Sequence, residues 1–261
     1  MTEKDPVLLN RVGAVATVTI NRPHRKNAID TAAWNGLFDA FQQVARDTEV
    51  RVVVVTGADG DFSAGADLGA DRGEHPLTRM HRVNDVAMAL NEISKPTIAK
   101  VDGVAVGAGW NLALGCDLVV ASERARFSQI FAKRGLSLDF GGSWLLPRLV
   151  GMQQAKRLAL RAEMIGAAEA RDLGLVTWVR PVDELDSFVD SLTAELAELP
   201  PVALSLSKRL LEEGASRTLR ESLEGEARAQ TVNFATEDAP AAIQAFLNKT
   251  EATYTGRWAV R

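Results

Sequence analysis

Residues 50–57, VRVVVVTG, constrain the fold of this chain more than any other stretch. A continuous β-branched run bounded by glycine is typical of a strand that is buried on both faces. KPTIAKVDGVAVGAG at 95–109 repeats the pattern, and CDLVVASERARFS at 116–128 predicts two short strands around a turn at Glu123 and Arg124. Strands of this kind alternate with helical segments up to about residue 180, and this alternation predicts an α/β core.

The elements at the two ends of the chain differ in kind. VLLNRVGAVATVTINRP at 7–23 predicts two strands turned at residues 11–13, and a helix is predicted over 30–46, where Asp30 and Thr31 are candidate caps. From residue 183 onward the periodicity is helical almost throughout, with breaks at prolines and glycines. We therefore expect a core over residues 1–195 and a helical module over 196–261 that packs on this core or on a neighbouring subunit.

Composition excludes several classes of protein. The chain has 261 residues and a net charge of −4, so no basic surface indicates a nucleic-acid or anionic-lipid partner. A single cysteine, Cys116, excludes an internal disulfide, and three histidines make a metal site improbable. No apolar run reaches the roughly 18 residues of a membrane span, and the N-terminal MTEKDPVLLN has no signal-peptide pattern. We expect a cytoplasmic protein without a membrane partner or a metal.

Two stretches of small residues follow predicted strands. DFSAGADL at 61–68 comes after the strand at 51–56 and is expected to lead into a helix, and GVAVGAGWNLALGCD at 103–117 ends one strand and opens an apolar helix. Small residues at such turns let a ligand approach the backbone, whose free N–H groups can bind an anion or a developing oxyanion. The alternative is ordinary helix initiation with tight packing.

Several ordered motifs over some 250 residues resemble the crotonase superfamily, the enoyl-CoA hydratase/isomerase enzymes. Besides the two small-residue stretches, the resemblance includes NRPHRKNAID at 21–30, RAEMIGAAEARDLGLVTWVRP at 161–181 and FLNKTEATYTGR at 246–257. It implies a spiral of ββα units, with C-terminal helices that build trimers, often paired as hexamers. It also implies an acyl-CoA thioester substrate, of which coenzyme A is itself a part, and no separate cofactor.

The resemblance assigns roles to particular residues. The N–H groups of Ala66 and Ala108 would bind the thioester oxygen; the family usually has glycine at the second position, but alanine keeps the N–H. Residues beside this oxyanion hole, or within the NRPHRKNAID motif that resembles the family's coenzyme A-binding segment, are expected to contact substrate: Ala64, Gly65, Asp67, Leu68, Arg25, Lys26 and Ala28. Lys249 would reach coenzyme A across a subunit boundary. For the three basic residues the alternative is a solvated charge, and Asp67 is also interpreted as capping its own turn.

Both glutamates of the family's hydratases are missing. Asn111 stands where the first is expected and Phe131 where the second is expected, so ordinary hydration of an enoyl-CoA is disfavoured. Asn111 either hydrogen-bonds the acyl group or a water, or is a satisfied polar residue of its helix. Asp71, Glu74 and His75 lie in a polar loop that either lines the acyl pocket or is surface.

Asp139, in GLSLDFGGSW at 135–144, is the one carboxylate at a catalytic position of the superfamily. Isomerases and dehalogenases of the superfamily carry a carboxylate there, and GLSLDFGGSWLLPRLVG resembles most the ring-epoxide isomerases of phenylacetyl-CoA breakdown. Apolar neighbours, among them Leu136, Leu138 and Phe140, are expected to raise the pKa of Asp139 by desolvation. The alternative is that Asp139 caps the helix that follows.

The function predicted from the sequence is therefore an acyl-CoA isomerase, in which one aspartate moves a proton along an acyl chain or ring while an oxyanion hole holds the enolate. An enoyl-CoA hydratase with atypical catalytic residues, a nucleophilic enzyme of the dehalogenase kind and a non-catalytic acyl-CoA-binding scaffold remain the alternatives.

Overall fold

The computed structural model describes residues 5–69 and 73–259. The strands in these ranges are β1 (Val7–Val12), β2 (Val15–Ile20), β3 (Val52–Gly57), β4 (Thr97–Val101), β5 (Val104–Val106), β6 (Leu118–Ser122), β7 (Arg126–Ser128), β8 (Ile165–Gly166) and β9 (Trp178–Arg180). The α-helices are α1 (Thr31–Arg46), α2 (Pro76–Asn91), α3 (Ala108–Leu114), α4 (Gly142–Arg161), α5 (Ala167–Asp172), α6 (Leu185–Glu198), α7 (Pro201–Gly214), α8 (Leu219–Phe234) and α9 (Asp238–Asn248). The two N-terminal strands, the helix after Asp30 and the helical C-terminal part are confirmed.

Two sheets form the frame of the core. The larger has the strand order β1-β2-β3-β4-β6-β9, in which only the β1–β2 pair is antiparallel. The smaller has the order β5-β7-β8. The chain passes from β4 in the larger sheet to β5 in the smaller before α3, and from β6 to β7 before α4. This repeated ββα path confirms the predicted α/β spiral.

The valines of β3 pack on both faces of the larger sheet, as the β-branched run predicts. Val53 and Val55 belong to the main core with α1, whereas Val52 and Val54 belong to a second cluster with α6. Asp30 begins α1 by accepting a 2.9 Å hydrogen bond from the Ala33 N–H. Burial on both faces thus follows from helices that cover each side of a largely parallel sheet.

The C-terminal helices α7, α8 and α9 follow the core along the chain. The expected boundary at residues 195/196 falls inside α6, and Leu196 still packs against the second core cluster. Pro200 and Pro201 separate α6 from α7, because proline cannot continue the preceding helix. The Lys208 ammonium lies 2.9 Å from an Asp117 carboxylate oxygen and ties α7 to the start of β6.

The described part of the chain contains no helix long and apolar enough to cross a membrane. Within the same residues, no group of three or more histidine, cysteine, aspartate or glutamate side chains is arranged to hold a metal ion.

Candidate functional site

Ser63 and the AGAD stretch that follows it (64–67) form an extended segment held between two neighbours. Ser63 pairs with Ala105, and Ala66 pairs with Ile29, each as a single parallel bridge. The helix expected after this stretch is α2, which begins at Pro76. An extended chain that pairs on one side leaves alternate N–H groups free on the other.

The Ala66 N–H is one of these free groups. The Ile29 N–H donates to the Gly65 carbonyl at 2.8 Å, and the Asp67 N–H donates to the Ile29 carbonyl at 2.9 Å. The N–H of Ala66, between them, therefore points away from Ile29, and it has no acceptor among residues 5–69 and 73–259. It is available to an acceptor that enters from outside the chain.

Ala108 supplies a second free N–H next to the first. It is the first residue of α3, where a helix leaves its N–H groups unpaired, and it follows Gly107 at φ 55°. A Cβ on Gly65 would lie 2.7 Å from the Val106 carbonyl oxygen and 3.5 Å from the Ala108 nitrogen. Only glycine permits this approach, which brings the backbones of the two stretches together and makes them a structural candidate for the predicted donor pair.

Arg22 fixes the loop that carries Ala66. Its guanidinium lies 2.9 Å from Asp30 and 3.1 Å from Asp67, and it also donates to the Ala28 carbonyl. Asp67 accepts a 3.1 Å hydrogen bond from the Gly69 N–H, the turn-capping contact expected for it. Burial opposes ionisation of Asp67, but Gly69 and Arg22 outweigh it and lower the pKa of this carboxyl below its usual value.

A cavity of about 540 Å³ lies beside Ala66. Its polar rim includes Asp30 and Asp67, and Asp139 lies on its wall. Arg79 of α2 also lines the cavity, and the rest of the wall is mainly apolar: Ile29, Trp34, Leu68, Met80, Val83, Leu136 and Leu138. Mostly apolar walls with few polar groups are typical of a small-molecule site.

Asp139 is a partly buried carboxyl in an apolar setting. Within the described ranges, nothing donates to its Oδ1 atom. Burial raises the pKa of Asp139 to about 6, in the direction expected from its apolar neighbours. The helix-cap alternative does not describe this side chain, because α4 has Gly141 as its N-cap and the Gly142 N–H donates to the backbone carbonyl of Asp139 at 2.9 Å.

Asn111 and Phe131 are both buried. The Asn111 amide donates to the Asp139 carbonyl at 2.9 Å and accepts from the Gln129 amide at 2.8 Å. Asn111 is therefore a polar residue of α3 whose hydrogen bonds are satisfied, which is the second of the two alternatives predicted for it. The Phe131 ring lies near Gly107, 3.6 Å from where a Cβ on that glycine would be. Neither residue lines the cavity, and neither supplies a carboxylate.

The three basic residues predicted to contact coenzyme A, namely Arg25, Lys26 and Lys249, are all exposed. Arg25 is exposed, yet close enough to Asp67 to contribute to its lowered pKa. Lys26 is exposed and lies 3.8 Å from Asp61, while its carbonyl accepts from the Ala64 N–H at 2.9 Å. Lys249 is exposed at the end of α9, and the described contacts do not connect it with the cavity.

Glu74 and His75, which precede α2, both contact residues of that helix. Glu74 pairs with Arg82 at 2.7 Å, and His75 begins α2 by accepting a 3.2 Å hydrogen bond from the Leu77 N–H. Asp71 lies outside the described residues.

Sequence reasoning missed Arg22, Gln129 and the role of Trp34 as a cavity wall. Arg22 stands inside the NRP motif, next to the residues that were singled out, so its position was a usable signal. Gln129 gave no signal, because only the fold brings it to Asn111.

Comparisons with known proteins identify the family of this chain. Residues 10–257 match the family model of enoyl-CoA hydratase/isomerase. The 1,2-epoxyphenylacetyl-CoA isomerase of Escherichia coli is 35% identical over 251 residues, which cover 93% of this chain and 95% of the relative. The short-chain-enoyl-CoA hydratase of Clostridium acetobutylicum is 36% identical over 251 residues, 95% of this chain and 96% of the relative.

A solved structure shows the same fold. The enoyl-CoA hydratase from Bacillus anthracis superposes with a TM-score of 0.91 at 29% identity, covering 97% of this chain and 100% of the other. A match that spans nearly the whole sequence, together with this superposition, shows that the chain belongs to the enoyl-CoA hydratase/isomerase family.

Proposed function

We propose that this protein is an acyl-CoA isomerase in which Asp139 is the single acid/base. One observation carries the proposal. Among the cavity carboxylates that the structure describes, Asp30 and Asp67 are paired with Arg22, whereas Asp139 has no cationic partner and a raised pKa. A desolvated carboxylate beside an oxyanion hole is the arrangement that proton abstraction next to a thioester requires.

The proposed reaction needs only one base. The thioester carbonyl oxygen accepts hydrogen bonds from the N–H groups of Ala66 and Ala108. Asp139 takes a proton from one carbon of the acyl group, and the electron pair moves onto the oxygen as an enolate. Asp139 then returns the proton to another carbon, so atoms and charge balance without a cofactor. Fixed donors at the oxyanion contribute several kcal/mol in enzymes of known structure, about 3 kcal/mol for one donor.

Hydration is the second candidate, favoured by the name of the Clostridium acetobutylicum relative. Syn-hydration calls for one group to activate water and one to deliver a proton. Asn111 and Phe131 supply neither, and the Asn111 amide is already hydrogen-bonded on both sides. This arrangement favours isomerisation.

Two thioesters distinguish the candidates with the wild-type protein. A 3-enoyl-CoA should gain the absorbance of a conjugated double bond as the bond moves next to the carbonyl. The corresponding 2-enoyl-CoA should keep most of its conjugation, because no water is added. Rapid loss of conjugation with formation of a hydroxyacyl-CoA, and no reaction of the 3-enoyl-CoA, would contradict the proposal.

We also propose that the coenzyme A phosphates bind near Arg25 and Lys26, and that Lys249 contributes from a neighbouring subunit of a trimer. The exposure of Arg25 close to Asp67 supports the first part. Exposed apolar side chains of the C-terminal module support the second: Leu211, Leu219, Leu223, Phe234, Ile243, Phe246, Leu247 and Trp258. Light scattering of a monomer at micromolar concentration would contradict the trimer.

A further inference from the structure

Trp34 and Phe140 form a wall two rings thick between two cavities. Their ring centroids are 5.7 Å apart with the planes nearly parallel, and both side chains are buried. Trp34 lines the cavity that contains Asp139. Phe140 lines a second cavity of about 310 Å³, which does not contain Trp34. The stacked pair therefore has one cavity on each side.

The second cavity is mainly apolar, and it lies beside a later part of α2 than the first cavity does. Apart from Asn91 and two glycines, its lining is hydrophobic: Ala87, Met88, Phe140, Trp144 and Leu145. Met80 and Val83 of α2 line the first cavity, and Ala87 and Asn91 of the same helix line the second. Spacings of three and four residues place these side chains on one face of α2, so one helix face covers both cavities.

The two cavities are close enough for one acyl chain to reach both. At a rise of about 1.5 Å per residue, the parts of α2 that line them are roughly 11 Å apart along the helix. Apolar lining on both sides suits a hydrocarbon chain, whose burial gains free energy in proportion to its area. Trp34 on the wall of the first cavity and Phe140 on the wall of the second stack on each other between them.

The backbone of Phe140 has an uncommon conformation. Its φ is 46°, in the left-handed region that bulky residues rarely adopt, and Gly141 follows at φ 76°. This turn points the Asp139 side chain to the first cavity while the next residue's ring stacks on Trp34. One backbone turn thus sets both the position of the proposed base and the end wall of its pocket.

We infer that Phe140 determines acyl-chain length, by closing the pocket so that compact acyl groups end against Trp34. The inference rests on the proposed function and names its substrate class: short-chain or ring-bearing acyl-CoA thioesters rather than long-chain ones. Removing the Phe140 ring leaves space into which the Trp34 ring can turn, and this movement joins the two cavities and admits a longer chain.

Binding of saturated thioesters, which undergo no reaction, tests this directly. Calorimetry should show that the wild-type protein binds octanoyl-CoA more tightly than butanoyl-CoA, but binds dodecanoyl-CoA no more tightly than octanoyl-CoA. In Phe140→Ala, dodecanoyl-CoA should bind about tenfold or more tightly than in wild type, because more of its chain is buried. Adding Met88→Trp to this variant refills the second cavity and should remove the gain.

Phe188→Ala is the matched control, since Phe188 packs on Trp178 at a centroid distance of 5.6 Å, in the second core cluster. It should leave the chain-length profile unchanged. If Phe140→Ala does not fold, Phe140→Leu gives the same comparison with a smaller gain. The inference would be overturned if the affinity of the wild-type protein rose steadily with chain length up to dodecanoyl-CoA. It would also be overturned if a folded Phe140 variant had the same dependence of affinity on chain length as wild type. If the profile is as expected but no double bond moves, the proposed function fails while the length limit stands.

Discussion

The Asn111 side-chain amide donates a 2.9 Å hydrogen bond to the backbone carbonyl of Asp139. Asn111 is fully buried, and the Gln129 amide donates to its oxygen at 2.8 Å. Asn111 therefore holds the turn on which the proposed base sits.

Asn111→Ala removes this support. The Asp139 carbonyl and the Gln129 amide both lose a partner, which should cost about 1–3 kcal/mol of the free energy of unfolding. The looser turn should lower kcat about tenfold or more, with little change in KM, because misplacing a catalytic group affects the chemical step. Steady-state kinetics and chemical denaturation measure the two effects. Asn248→Ala, at an exposed asparagine on α9, is the control, and an unchanged kcat in Asn111→Ala would show that the contact does not position Asp139.

Ala108 offers a backbone N–H, so the nature of its side chain should matter less than the N–H itself. Ala108→Pro removes the donor at a helix position that tolerates proline, and kcat should fall about 10²- to 10³-fold. Ala108→Gly keeps the N–H and should retain most of the activity. Rates for both variants are compared after circular dichroism has shown intact folds. Equal loss in both, or none in the proline variant, would contradict the role of this N–H.

Asp139 should make the protein less stable at neutral pH. Burial raises the pKa of Asp139 to about 6 from 3.8, so the folded state favours the neutral carboxyl. Below pH 4 this carboxyl is neutral in both states and costs nothing; as the pH rises through 4 to 6, the unfolded state releases its proton first and stability falls. Above pH 6 the cost is on the order of 3 kcal/mol.

Asp139→Asn removes this cost, so its melting temperature should exceed that of wild type at pH 8 and approach it at pH 4. Thermal unfolding at several pH values measures the difference. Asp190→Asn, at an exposed aspartate on α6, should show no such pattern. A variant that is less stable than wild type at pH 8 would indicate that the carboxylate is stabilised in the fold.

The main elements of the fold followed from local patterns. The valines at 52–55 predicted a strand covered on both faces, and Asp30 predicted the start of α1, because burial and capping depend on residues close in sequence. The conformation of the AGAD stretch was missed, since single bridges from Ile29 and Ala105 hold it extended. Those partners are distant in sequence, so local sequence patterns do not predict the pairing.

Some features of the site could likewise be predicted from the sequence, whereas others could not. The sequence alone shows that Asn111 and Phe131 carry no carboxylate, and it also predicts the apolar setting of Asp139. The hydrogen bond from Asn111 to Asp139 and the stacking of Trp34 on Phe140 could not be predicted, because each joins residues that only the tertiary structure brings together.

Proton exchange at the substrate tests the central claim most directly. In deuterated buffer, wild-type protein with a 3-enoyl-CoA should exchange the hydrogens between the carbonyl and the double bond while the bond moves, as followed by NMR. Asp139→Asn should lower both rates about 10²- to 10⁴-fold, the usual contribution of a general base, while thioester binding measured by calorimetry is retained. Exchange and isomerisation at the wild-type rate in a folded Asp139→Asn variant would contradict the assignment of Asp139 as the base.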